Sequence, residues 1–126
     1  MCLDTITRTF AGRSRKVVLA YKAFRVADDG TLRFEYGSLN GSRIALTGRW
    51  LTAGPTEHLS YKAGFHVFPT QSQAESWGCM HISSRPAVYR VVRVRCQGLL
   101  LEGNDMCNGP AKVFQKLYIP RQKKNV

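Results

Sequence analysis

The sequence predicts an α+β protein that is mainly β: a curved antiparallel sheet or partial barrel of about six to seven strands with one short helix. Three observations predict it. Apolar and polar residues alternate in short runs at 17–26, 32–36 and 87–96, the period of half-buried strands. Turn signals punctuate the chain, at Asp28-Asp29-Gly30, at Asn40-Gly41 and through 104–110. Only one stretch, beginning at Thr70, joins a helix-start signal to a run of helix formers. At 126 residues the chain is one domain, 1–120, followed by a basic tail over 121–126.

Residues 5–16 mix Thr, Gly and Arg and read as a loop or a basic arm. The run 17–26 is a strand with Leu19, Tyr21, Ala23 and Arg25 on one face and Val18, Ala20, Lys22, Phe24 and Val26 on the other. A tight turn at Asp29-Gly30 returns the chain into 32–36, where Leu32, Phe34 and Tyr36 face inward. Residues 43–46 read as a third short strand. The stretch 49–60 reads as a long loop in which Trp50, beside Arg49, is either an exposed stacking platform or, by the more usual habit of tryptophan, folded back onto the core.

Gly64-Phe65-His66-Val67-Phe68 is a short strand that Pro69 ends. Thr70 caps the helix, Gln73 completes a capping box, and the helix spans 71–77 until Gly78 stops it. Residues 78–86 form a loop. The strongest strand signal is 87–96, with Arg90 among the face of Val88, Val92, Val94 and Cys96, and Arg93 and Arg95 projecting from the other side. Leu99-Leu100-Leu101 reads as a separate short strand, 104–110 as a turn, and 111–119 as the last strand, closed by Pro120.

Charge narrows the function. Nineteen Lys and Arg against eight Asp and Glu give +11, a balance suited to a polyanionic partner. No helix-turn-helix, zinc-finger or RNP signature is present, so backbone-led binding of RNA, single strands or a nucleoprotein complex is expected. The expected contacts are Arg90, Arg93, Arg95, Lys112, Lys116, Arg121, Lys123 and Lys124, with Tyr89 and Tyr118 as aromatic surface. No apolar run approaches membrane-spanning length, and the N-terminus lacks a continuous apolar segment; the expected location is the cytoplasm.

Two other chemistries are legible. Cys2 follows the initiator Met, and a mature N-terminal cysteine carries its own amine as base; with His66 it would form a thiol–imidazole pair in a small enzyme of amidotransferase or transferase type. His66 alone reads either as a core histidine bonded to backbone, or as a general base or anion contact near the helix start. Cys79, His81, Cys96 and Cys107 are the candidate metal ligands, but they lack a tight Cys-x-x-Cys pair, so free thiols and no cofactor are expected.

Several short motifs run together along the chain: Met1-Cys2-Leu3, Tyr21-Lys22, Gly64-Phe65-His66-Val67-Phe68 before a helix carrying Ala74, Val88-Tyr89-Arg90-Val91 leading to Gly98, and a closing strand over 111–119. In these the chain resembles a group of small uncharacterised phage and mobile-element proteins that begin Met-Cys-Leu and carry a Gly-Phe-His signature. The resemblance implies an accessory protein that counters host defence in an anti-CRISPR-like manner, with a host-defence protein as a further partner. A protein-only interaction module, dimerising through an edge strand, is the remaining alternative.

Overall fold

A computed structural model describes residues 5–34, 44–53, 64–85, 88–105 and 107–122. Its strands are β1 (Thr5–Thr9), β2 (Val18–Val26), β3 (Leu32–Arg33), β4 (Trp50–Thr52), β5 (Phe65–Val67), β6 (Tyr89–Asp105) and β7 (Gly109–Tyr118), and its helix is α1 (Gln71–His81). All seven strands belong to one curled antiparallel sheet with the path β3-β2-β6-β7-β4; β1 joins it on β6 and β5 on β7. The mainly β architecture read from the alternating runs is therefore the observed one.

The sheet curls until its edges meet. β5 pairs with β7 from Phe65 to Val67, and the next residue, Phe68, exchanges both backbone hydrogen bonds with Tyr21 of β2, each 2.8 Å. Those bonds join β2, β6, β7 and β5 into a locally closed ring. Lys22 adds a side-chain rung beside them, its Nζ donating to the His66 carbonyl at 2.7 Å.

Inside the curl lies the main core, built on Phe24, Val67, Val94, Cys96, Phe114 and Leu117. Phe24, Phe34 and Phe65 form a ladder of tilted rings at successive centroid spacings of 5.6 Å. Each fully buried phenyl ring contributes on the order of 2 kcal/mol relative to exposure. On the outer face, Ala74 and Trp77 of α1 cover a second cluster that includes Ala23, Leu101, Ala111 and Val113. Thr70 caps α1 as expected, accepting from Gln73 N. The Gln73 side chain accepts from the Thr70 hydroxyl at 2.7 Å and donates to the carbonyls of Asn108 and Pro110, which ties the helix start to the β6–β7 hairpin.

Several local expectations change. Residues 5–9 are a strand, not a loop; every residue of β1 is exposed, so it carries no apolar alternation and is held by backbone pairing to β6. Trp50 starts a strand within the expected long loop. The helix passes through Gly78 to His81; Gly78 lies so close beneath the Tyr89 ring that an added Cβ would sit 2.7 Å from it, so the missing side chain serves packing rather than termination. The two expected strands before and after Gly98 are one 17-residue strand, β6. The expected strand at 43–46 is reduced to a single bridge, Ile44 to Arg33, with residue 43 outside the described residues.

Gly98 is where β6 changes face. Strict alternation would place Cys96 and Leu99 on opposite sides, yet both pack into the interior core. Gly98 adopts φ +74, a conformation that L side chains rarely take, and a Cβ there would lie 2.8 Å from the Gly12 carbonyl. Beyond it Leu100 and Leu101 both join the outer cluster, a bulge at which the β6–β7 register shifts.

Candidate nucleic-acid interface

The helix covers only part of the outer sheet face. Beside it, the registers place four side chains in one transverse row: Leu19 opposite Arg95, Arg95 opposite Tyr118, and Tyr118 opposite Trp50. Directly paired residues of antiparallel strands share a face, so the row crosses β2, β6, β7 and β4 without interruption. Its inward-facing neighbours, Ala20, Cys96, Leu117 and Leu51, belong to the interior core, which fixes the row as the outer surface.

The row is open. Leu19 is 50% exposed and Trp50 41%, and Arg95 is exposed as well. The Arg95 guanidinium lies 5.4 Å from the Tyr118 ring centroid, and the Tyr118 and Trp50 rings stand 5.7 Å apart at 55°. A guanidinium in this position gains electrostatically from the ring quadrupole and keeps its donors free at the edges. Arg93 opposes Tyr21 on the same face, and Lys116 opposes both Gln97 and Thr52 there. Arg121 packs over the Gly48 turn that leads into Trp50.

The expected basic set is thus divided. Arg93, Arg95 and Lys116 gather on this face. Arg90 opposes Phe24, an interior residue, and so points to the other side of the sheet. Lys112 forms an ion pair with Glu102 at 3.7 Å, opposite the interior residue Val67. Lys123 and Lys124 lie outside the described residues. Of the two readings of Trp50, the exposed one holds rather than the more usual core position: β4 is a three-residue edge strand, and Trp50 faces away from the interior.

Among the described residues the candidate metal ligands do not gather into one site. Cys2 lies outside the described residues. His66 opposes Val113 on the outer face, and its Nε2 is buried without a hydrogen-bond partner. Burial, then the Lys22 charge, pushes its pKa down to about 3, while a hydrogen bond to the Gly64 backbone works in the opposite direction. The imidazole is neutral at physiological pH and does not offer a cationic anion contact at the helix start. Cys96 is an interior residue whose thiol burial pushes up to about 12, an effect that Lys22 opposes. Cys79 and His81 are exposed at the end of α1, where His81 stacks on Trp77 at 5.0 Å, and Cys107 is exposed in the β6–β7 hairpin. Among the described residues no three His, Cys, Asp or Glu side chains group as metal ligands, and no helix is long and apolar enough to cross a membrane.

Lys22 gives the interior an alkaline signature. Burial lowers its pKa from 10.5 to about 8, with a smaller opposing effect from Cys96. The unfolded chain therefore holds this proton more tightly than the folded one between pH 8 and 10.5, and Lys22 makes stability rise with pH across that window. We expect Lys22→Met to flatten that rise in denaturant unfolding followed from pH 7.5 to 10.5; an unchanged slope would place the ammonium in water.

Comparison with known families, with curated proteins and with solved structures finds no match, and the functional reading rests on the geometry above.

Proposed function

We propose that this chain binds single-stranded nucleic acid on the open half of its outer sheet face. Arg93, Arg95 and Lys116 hold phosphates, and Tyr118 and Trp50 receive bases. The observation that carries the reading is the row Leu19–Arg95–Tyr118–Trp50, with the exposed Arg95 guanidinium and Trp50 ring flanking the half-buried Tyr118 ring on a chain of net charge +11. Exposed rings can stack only on bases that a duplex would keep paired and stacked, so an open strand suits this face better than double helix. The setting implied by the sequence resemblance, an accessory protein acting against host defence, accommodates such a role, since RNA-guided defence complexes display a displaced single strand.

The two tryptophans make the test direct. Trp77 is buried beneath α1 and Trp50 is exposed on the platform. Titration with a short oligothymidylate should quench the tryptophan emission of the wild-type protein, and Trp50→Phe should abolish the quenching while leaving the Trp77 emission. Absent quenching, or quenching that persists without Trp50, would refute stacking at this face.

A further inference from the structure

A second site lies away from the platform, where the interior core opens beside the segment joining β1 to β2. It is a cavity of about 450 Å³, a size typical of small-molecule sites. Val18, Leu99 and Phe114 line its apolar side, and all three belong to the interior core rather than to the outer face. Arg13 and Lys16 stand at its wall, and the Lys112–Glu102 ion pair closes another side. Three bases against one acid leave the cavity with two positive charges in excess.

The wall is built rather than draped. Phe10 N donates to the Leu100 carbonyl at 2.7 Å, Gly98 N to the Ser14 carbonyl at 3.1 Å, and Gln97 Nε2 to the Arg15 carbonyl at 2.6 Å. Gly12 takes φ +75 and lies so close to β6 and β7 that a Cβ would come within 2.7 Å of Leu100 Cδ2 and 3.1 Å of Gln115 Oε1. Phe10, which also lines the cavity, is 42% exposed despite these anchors. The result is a fixed apolar surface with cationic side chains at its margin.

We propose that this cavity binds a small organic anion. Its flat apolar body lies against Val18, Leu99 and Phe114, and its anionic head is held by Arg13 and Lys16. Apolar burial supplies the affinity, and the two cations fix the orientation, because a head group turned inward would lose its water without gaining a charged partner. The proposal is independent of strand binding, since none of the cavity residues belongs to the platform row.

The test uses the full chain and 8-anilinonaphthalene-1-sulfonate, an aromatic body with one anionic group. We expect a single saturable site with blue-shifted emission. Arg13→Ser combined with Lys16→Ser, both exposed positions, should weaken it at least ten-fold, and Val18→Trp should fill the cavity and abolish it. Arg93→Ala with Arg95→Ala should leave it unchanged. Dye binding that survives the Arg13 and Lys16 changes, or that is lost with Arg93 and Arg95, would overturn the proposal. Displacement of the dye by benzoate assigns a carboxylate head group and displacement by adenosine monophosphate a phosphate. Displacement by neither also overturns the proposal.

Discussion

Arg93→Ala combined with Arg95→Ala is expected to weaken binding of a short single-stranded oligonucleotide roughly 25-fold at 0.1 M salt. For single strands, each neutralised phosphate contributes about 0.7 to the slope of log affinity against log salt, so two lost contacts remove about 1.4 decades at that concentration. Both side chains are exposed and project away from the core, so the doubly substituted protein should unfold at the wild-type midpoint. Arg95→Lys separates charge from stacking. The ammonium keeps the phosphate contact but gives up the planar contact over Tyr118 at 5.4 Å, so it should retain the salt slope and lose part of the affinity. Equal binding by the wild type and the doubly substituted protein, measured by fluorescence anisotropy, would show that the basic face is only a solvated surface.

Acid should loosen the fold through a single histidine. The pKa of His66 is about 3 in the folded protein against an ordinary 6.5, so the unfolded chain takes up this proton first as pH falls. The contribution of His66 is therefore fully present above pH 6.5 and lost progressively down to pH 3. At most it amounts to about 5 kcal/mol, taking the whole shift at about 1.4 kcal/mol per unit. We expect urea midpoints of the wild type to fall steeply over this window. His66→Leu replaces a buried ring nitrogen that has no partner with an apolar group and removes the titration, so its midpoints should fall less. Parallel pH dependences in the two proteins would contradict the burial of this imidazole.

What the sequence made legible was the residue-level patterning, and what it hid was register. Alternation in 17–26 put Ala20 and Phe24 on one face and Leu19 on the other, because a strand's side chains obey a two-residue period wherever its backbone is regular; that the face of Ala20 and Phe24 is the core follows only from the sheet's curl. The helix start was equally plain, since Thr70 and Gln73 act through local bonds three residues apart. β1 was invisible because all five residues are exposed and its partner, β6, lies far along the chain. Gly98 misled in a different way. A positive-φ glycine marks a turn as often as a bulge, and here the strand continues through it.

The candidate interface shows the same division. Arg93 and Arg95 were legible as neighbours on one face, since they lie two residues apart in a single strand. Their association with Trp50 was not. That contact depends on β4 pairing with β7 and β7 with β6, and neither register leaves a mark in local composition. His66 was correctly seen within an apolar strand, but its neutrality follows from the enclosure of Nε2 and from a lysine forty-four residues away. Arg90 and Lys112 were grouped with the basic set by charge, although alternation already put Arg90 on the face opposite Arg93 and Arg95; the cross-strand partners Phe24 and Val67 show that both belong to the other side of the sheet.

The central claim is that three cations of one sheet face contact the phosphates of an open strand. Its most direct test is the affinity of the full chain for a short single-stranded oligonucleotide, followed across salt concentrations from 0.05 to about 0.3 M. With Arg93, Arg95 and Lys116 each neutralising one phosphate, the slope of log affinity against log salt should be about −2, with tighter binding to the single strand than to a duplex of the same length. A slope near zero, or a preference for the duplex, would contradict the account.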